Sequence, residues 1–217
     1  MEGIFLFNKP KNITSAHFLN RLKHALSSGL KKKIGHGGTL DRFAEGLLIV
    51  AVGREFTKKL PLFLKNSKKE YLAEIEFGKS STTLDPDGII KISGHLPQKN
   101  EIMETLKSFP LNLPFSQTAP LYSAKKISGR RLSDLARRNI KTEPKKTEII
   151  LYDFSILEYS PPVLKISLLV SSGFYVRSFA YDLAKKLKTS AYLKSLIRTK
   201  IITPEKKYYL KNAKKLT

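Results

Sequence analysis

The segment best suited to chemistry is a glycine-rich stretch that leads into a single carboxylate. Residues 35–48 read Gly-His-Gly-Gly-Thr-Leu-Asp-Arg-Phe-Ala-Glu-Gly-Leu-Leu, and Asp41 lies between the glycines and an apolar run that predicts a buried strand over residues 46–53. Glycines let a backbone approach a ligand closely, and a rigid strand fixes the direction of a neighbouring side chain. Asp41 is therefore a candidate catalytic residue, although an aspartate after glycines is often only a turn or cap residue.

Several other kinds of site fail on residue type or spacing. The four histidines form no HExxH pattern, and the absence of cysteine excludes disulfide scaffolds, thiolate nucleophiles and cysteine-ligated zinc. Residues 73–80 lack the first glycine of a phosphate loop, and residues 35–40 lack the last glycine of a dinucleotide fingerprint. The GxSxG pattern of α/β-hydrolases is missing too. ATP, NAD and metal chemistry are thus disfavoured together.

The charge of the chain points to an anionic partner. The 217 residues include 40 Lys and Arg against 18 Asp and Glu, a net charge of +22, and 17 of the excess positive charges fall in residues 121–147 and 183–217. Such clustering favours a phosphate backbone, and the alternative is a lysine-rich surface that is merely solvated. The longest apolar run, residues 47–52, is too short to cross a bilayer and no signal peptide is visible, so we expect a cytoplasmic protein without a membrane segment.

Strand-like and helix-like patterns alternate along the chain and predict an α+β domain with a mixed, largely antiparallel sheet. Apolar periodicity predicts helices that begin at residues 14–15 and soon after Gly173, and helical spacing also occurs within the basic clusters, at residues 132–136 and 192–197. Period-two alternation or buried apolar runs predict strands at residues 3–8, 46–53, 69–78 and 89–93 and a hairpin of residues 148–159 and 163–171.

The Asp41 segment resembles the GTLDxxAxGLL signature of the TruB-type tRNA pseudouridine-55 synthases. Further family motifs follow in family order over nearly the whole chain, at residues 8–15, 69–88, 120–132, 173–178 and 196–199. The resemblance implies the pseudouridine-synthase fold, with a central sheet flanked by helices and loops. It also implies an isomerase that flips uridine 55 out of the tRNA T loop and converts it to pseudouridine without a cofactor or a metal.

The resemblance also implies a role for each matching residue. Asp41 is the nucleophile, Tyr71 stacks on the target base and is a candidate for proton removal, and Arg177 pairs with the catalytic aspartate. Leu196 walls the uracil, and His36 is associated with the opened RNA loop. A basic insertion near residues 121–147 grips the RNA through Tyr122, Lys125, Lys126, Arg130 and Arg131. Each of these residues also has a purely structural interpretation, such as core packing, a helix start or a solvated helix face.

Two departures from the family and the domain organisation complete the expectations. Gly37 replaces a usual threonine, and Arg42 replaces a usual proline after the nucleophile. We expect a catalytic domain over residues 1–204 and a short basic tail over residues 205–217, which is too short for the family's PUA domain. We expect a monomer that binds the tRNA T stem-loop. The alternatives are a non-catalytic RNA-binding or RNA-folding module of the same fold and a synthase for another RNA.

Overall fold

The computed structural model describes residues 2–26, 32–127, 129–138, 140, 142–144 and 146–214. The chain forms two compact units, Met1–Leu72 with Leu196–Thr217, and Ala73–Ser195. We refer to them as the first and the second unit. Two long strands, β4 (Lys68–Phe77) and β12 (Ala191–Ile202), each have residues in both units.

The first unit is organised around one buried strand, β3. Its elements are β1 (Gly3–Lys9), α1 (Ser15–Leu26), β2 (Ile34–Gly37), β3 (Glu45–Val52), α2 (Arg54–Phe63), the start of β4, the end of β12, β13 (Lys207–Tyr209) and a 3₁₀ turn (Leu210–Asn212). β1 pairs antiparallel with β3 along its whole length. β2 pairs antiparallel with the end of β3, and β12 pairs parallel with its start. Because a strand has two edges, β2 and β12 share the edge that β1 leaves open.

Alternating side chains of β3 explain how the unit holds two helices. Leu48 and Val50 belong to a core cluster with α1, whereas Leu47, Ile49 and Ala51 belong to a cluster that includes Leu60 of α2 and Leu64 just after it. All five β3 side chains are fully buried. Burying a side chain such as Leu or Ile contributes about 1.5–3 kcal/mol, so β3 anchors both helices and the segments at its two ends.

Close approach of two strands requires the glycine at position 46. Gly46 of β3 pairs with Arg198 of β12 and has a φ of 110°. A Cβ atom at this position would lie 2.5 Å from the carbonyl oxygen of Arg198. The glycine therefore lets β12 pair with β3 at the start of the strand, next to the predicted catalytic segment.

The second unit combines antiparallel strands with three helices. Its elements are the end of β4, β5 (Lys79–Ser81), β6 (Ile90–Ile92), α3 (Lys99–Lys107), β7 (Pro114–Thr118), β8 (Lys126–Ile127), β9 (Arg130–Arg131), α4 (Leu132–Arg137), β10 (Lys146–Ser160), β11 (Val163–Ser171), α5 (Val176–Lys186) and the start of β12. Four strands lie in the order β4-β11-β10-β7, and β10 pairs antiparallel with both neighbours. Four phenylalanines, 109, 115, 174 and 179, form an aromatic cluster.

The predicted α+β class, with its mixed and largely antiparallel sheet, is confirmed. The hairpin of β10 and β11 and the helices α1, α4 and α5 are also found. The helical interpretation of residues 192–197 is wrong, because these residues belong to strand β12. Lys194 and Ser195 separate the apolar residues of this strand, so Tyr192, Leu193, Leu196 and Ile197 recur at the spacing that is typical of a helix. No helix in the described ranges has the length and apolarity of a membrane span.

Candidate active site

Asp41 lies on a short loop between β2 and β3, and its side chain is half-buried. The backbone just before it is held at both polar groups, because the Ser15 hydroxyl accepts from the Leu40 amide at 2.9 Å and donates to the Leu40 carbonyl at 2.8 Å. After it, the Ala44 amide donates to the Asp41 carbonyl at 3.2 Å. Leu40, Phe43 and Ala44 are buried. The loop is thus fixed on both sides of a carboxylate that solvent still reaches.

Arg198 of β12 holds the start of the same loop. Its side chain is fully buried, and its Nε and Nη2 atoms each donate at 2.7 Å, to the carbonyls of Leu47 and Gly38. The third nitrogen, Nη1, lies 3.5 Å from the Tyr71 hydroxyl. Hydrogen bonds from a guanidinium are charge-assisted, and its planar fork fixes several partners at once. Arg198 therefore links β3, the loop that carries Asp41, and the predicted base-stacking tyrosine.

Lys9, at the end of β1, places a second buried cation near Asp41. Its Nζ atom donates to the carbonyls of Pro10 and Ile13 at 2.9 and 2.7 Å. Burial lowers the pKa of Lys9 to about 8, while the carboxylates of Asp41 and Glu45 oppose that shift. The ammonium is thus held by neutral carbonyls and interacts electrostatically with the carboxylate of the loop.

The charge of Arg198 also lowers the pKa of two further titratable groups. Burial, and then the nearby guanidinium of Arg198, lower the pKa of Lys69 to about 8. The same two causes lower the pKa of His36, which lies on β2 opposite Val50. At neutral pH the His36 imidazole is therefore neutral, and its buried Nδ1 atom has no hydrogen-bond partner among the described groups.

Tyr71 and Leu196 lie on neighbouring parts of β4 and β12 in the first unit, and each is 6% exposed. Two residues of β12 bind the glutamate that precedes Tyr71: the Thr199 hydroxyl donates to Glu70 at 2.8 Å, and the Lys200 ammonium lies 2.7 Å from it. These contacts fix the backbone on which Tyr71 stands. The first unit therefore brings Tyr71, His36 and the start of the Asp41 loop close to Arg198, and Leu196 lies two residues before Arg198 on β12.

Arg177 lies in the first turn of α5 in the second unit, where it is almost fully buried. Its Nη1 atom is 3.0 Å from Oδ2 of Asp85 and donates to the Thr83 carbonyl at 3.0 Å, and its Nη2 atom donates to the Tyr122 carbonyl at 2.9 Å. Asp85 accepts in turn from the Thr83 hydroxyl at 2.5 Å and from the Asp87 amide at 3.0 Å. The guanidinium is thus held in one orientation. Its pairing with Asp41 stays a prediction.

The predicted RNA-contact residues of the insertion are only partly described. Tyr122 is half-exposed, and Arg130 is exposed on β9. The Lys125 ammonium donates to the Thr147 hydroxyl, which ties the start of the insertion to β10. The side chains of Lys126 and Arg131 lie outside the described part of the structure. Contacts of these five residues with RNA therefore stay predictions.

Comparison with known proteins decides the family. A family model described as "TruB family pseudouridylate synthase (N terminal domain)" matches residues 24–176. The chain belongs to the TruB family. The tRNA pseudouridine synthase B of Protochlamydia amoebophila is 39% identical over 201 residues, which cover 92% of this chain and 74% of that protein. The Mycoplasma mobile protein of the same name is 42% identical over 205 residues, which cover 93% and 69%.

The solved structures agree with this assignment. The crystal structure of a Cbf5-Nop10-Gar1 complex contains a chain with a TM-score of 0.66 and 25% identity, and the match covers 91% of this chain and 48% of that one. The predicted TruB family and pseudouridine-synthase fold are therefore confirmed.

Sequence reasoning assigned no role to three buried charged residues: Arg198 and Lys9 near the Asp41 loop in the first unit, and Asp85 beside Arg177 in the second. Arg198, Lys9 and Asp85 all lie within motifs that carried the resemblance, at residues 196–199, 8–10 and 82–88. The sequence signal that could have singled them out is a charged residue inside an otherwise apolar or turn motif. Charged residues are rarely buried unless they have a partner. Among the residues that the structure describes, no group of three or more His, Asp or Glu could hold a metal ion.

Proposed function

We propose that this chain isomerises uridine 55 in the T loop of tRNA to pseudouridine, with Asp41 as the nucleophile. The observation that carries the proposal is the half-buried carboxylate on a loop that Ser15 and Arg198 hold in place. Family membership and relatives named tRNA pseudouridine synthase B support the reaction and the substrate. The +22 charge and the absence of cysteine are compatible with a tRNA enzyme that works as a monomer in the reducing cytoplasm.

The reaction needs positioning and charge rather than an oxidant or a reductant. The bond between N1 of uracil and C1′ of ribose breaks, C5 bonds to C1′, C5 loses its proton, and N1 gains one. A carboxylate suits attack at a sugar carbon with a developing positive charge, as in glycoside chemistry. Asp41 fills that role, and the buried cations Arg198 and Lys9 supply fixed positive potential beside it.

The other residues hold the flipped base and the RNA. Tyr71, fixed through Glu70 and Arg198, stacks on the uracil and takes part in proton removal at C5, and Leu196 walls the base. Arg177, oriented by Asp85, pairs with the nucleophile. The catalytic domain comprises residues 1–204, and its basic insertion near residues 121–147 binds the T stem-loop.

The test uses an unmodified tRNA transcript and no added cofactor. After treatment with a carbodiimide that marks pseudouridine, primer extension should stop at position 55 with the wild-type protein. Asp41→Asn should abolish the stop while a filter-binding assay still detects tRNA binding. Asp153→Asn, which makes the same change at an exposed residue of β10, is the matched control and should retain activity.

Three outcomes would contradict parts of the proposal. Binding of tRNA without any new stop would indicate a non-catalytic RNA-binding module. A stop at another uridine, or only in another RNA, would overturn the assignment to position 55. Full activity of Asp41→Asn would show that Asp41 is not the nucleophile.

A further inference from the structure

A groove of about 310 Å³ lies between α2 and the segment that joins β12 to β13, within the first unit. Leu62 and Phe63 form its apolar wall, Lys59 and Lys65 flank them, and residues 203–205 line the other side. Its volume is at the lower end of those that hold a small ligand. Leu62 is 73% exposed, whereas Leu60 of the same helix is buried in the core.

The surface around this groove is strongly cationic. Residues 58–65 and 203–211 contain one carboxylate, Glu205, and six lysines, all of them exposed: Lys58, Lys59, Lys65, Lys206, Lys207 and Lys211. We call these two segments with their groove the α2–β13 surface. Lys59 lies 2.5 Å from Glu55. In the described part of the chain, the other five lysines have no carboxylate within 4 Å.

Two of these lysines lie close to aromatic rings. The Lys206 ammonium lies 5.9 Å from the ring centre of Tyr208, and the Lys211 ammonium lies 5.8 Å from that of Tyr209. Tyr208 packs against Phe63 of the groove, with ring centres 5.7 Å apart. Cation–π contacts of this kind restrict the lysine head groups, and basic residues interleaved with aromatic ones are typical of surfaces that bind nucleic-acid strands.

The α2–β13 surface is connected to the predicted catalytic loop through β2. Leu60 of α2 and Leu64 just after the helix pack against Gly37, and β2 ends at Gly37, four residues before Asp41. Gly37 pairs with Ile49 of β3. Ile49 is four residues from Glu45, the first residue of β3, and four residues of strand span about 13 Å. An RNA that places one nucleotide at Asp41 can therefore contact α2 through other nucleotides of the same strand.

We propose that the α2–β13 surface binds the phosphate backbone of the RNA substrate at nucleotides away from the one that reacts. The lysines contact phosphates, and Leu62 with Phe63 contacts a ribose or a base in the groove. This inference rests on the proposed function, because it takes the substrate to be an RNA. A merely solvated lysine surface would need neither the aromatic restraints nor an exposed apolar groove at its centre.

The test removes two of the unpaired lysines, Lys65→Gln with Lys206→Gln, and measures the dissociation constant for unmodified tRNA at several salt concentrations. The matched control is Lys107→Gln with Lys165→Gln, which lowers the net charge equally at exposed lysines that already face Glu104 and Glu158. The logarithm of affinity falls with the logarithm of salt concentration by about 0.7–0.9 per phosphate contact, so the slope of the test variant should decrease by about 1.4–1.8.

The expected kinetic result is a higher KM with an unchanged kcat. Lys65→Arg with Lys206→Arg should keep the wild-type slope, which separates lost charge from a folding defect. Equal salt slopes for the wild type, the test variant and the control would overturn the proposal. A reduced slope without pseudouridine formation would support RNA binding by this surface and contradict the proposed enzymatic activity. Pseudouridine formation with equal slopes would contradict only RNA binding by this surface.

Discussion

Replacing Arg198 by lysine is expected to release the loop that carries Asp41 from the strand beside it. The guanidinium donates to the buried carbonyl of Leu47 on β3 and to the partly buried carbonyl of Gly38 at the start of the loop, each at 2.7 Å. A single ammonium on a shorter stem does not reproduce this fork. Because the Leu47 carbonyl belongs to a rigid buried strand, we expect the contact with Gly38 to be the one that is lost.

The size of the effect follows from these contacts. A buried acceptor left without a partner costs about 1–3 kcal/mol of stability. The Gly38 carbonyl lies three residues before Asp41, and a displacement of about 1 Å at a reacting group lowers a rate about a hundredfold. That corresponds to about 2.7 kcal/mol of barrier. We therefore expect Arg198→Lys to remain folded while kcat falls about a hundredfold.

The assay is single-turnover formation of pseudouridine in a tRNA transcript, followed by carbodiimide primer extension, with urea unfolding of the same samples. Arg21→Lys is the matched control, since Arg21 is exposed on α1 and should affect neither measurement. Binding of tRNA should change less than the rate, because Arg198 is buried and holds the loop rather than the RNA.

One result would refute this reasoning. If Arg198→Lys loses stability but keeps kcat within about a factor of three, less than 1 kcal/mol of barrier, then the Gly38 contact does not position Asp41. Arg198 would then be only a structural residue of β12.

Three further predictions concern stability. Asp85→Asn removes the charge of the carboxylate that lies 3.0 Å from the buried guanidinium of Arg177 and should lower the free energy of unfolding by about 3–5 kcal/mol; wild-type stability would contradict the importance of this pair. Gly37→Ala places a methyl group 2.0 Å from Leu64 and should cost about 1–3 kcal/mol, and adding Leu64→Ala should recover part of that loss in thermal unfolding. Lys69 gives up its proton at about pH 8 in the folded state and at higher pH when unfolded, so stability should rise above pH 8 by up to about 3 kcal/mol. Lys69→Met should show a smaller rise in urea unfolding, since it loses the contribution of Lys69 and keeps that of Lys9, whose pKa is also lowered to about 8.

The parts of the fold that sequence predicts are those that depend on local pattern. The alternation of β4, the fully apolar run of β3 and the Pro-Pro turn between β10 and β11 are readable because each reflects only its own neighbours. Asp41 could be singled out as a candidate for the same reason, since its glycines and its strand are adjacent in the chain. The departure at position 37 was visible in the sequence, but its physical reason was not: Leu64, just after α2, fills the space that a side chain at position 37 would need.

The role of Arg198 depends on pairing between distant segments. Arg198 and Gly38 are 160 residues apart, and they meet because β2 and β12 use the same edge of β3. No local signal specifies which strands share an edge. The helical interpretation of residues 192–197 hid this further, because a helix there would place Arg198 on no strand at all.

The positive charges of the chain fall into a buried group and an exposed group, which the composition does not distinguish. Arg198, Lys9 and Lys69 are buried near the loop that carries Asp41, where the lowered pKa values of both lysines mean that their charged forms destabilise the fold. The lysines of the α2–β13 surface are exposed and incur no such penalty. A buried cation that lowers stability persists when the site needs it, whereas an exposed one needs only a partner in solution. On this basis the buried group should govern kcat, and the exposed group should govern KM and its dependence on salt.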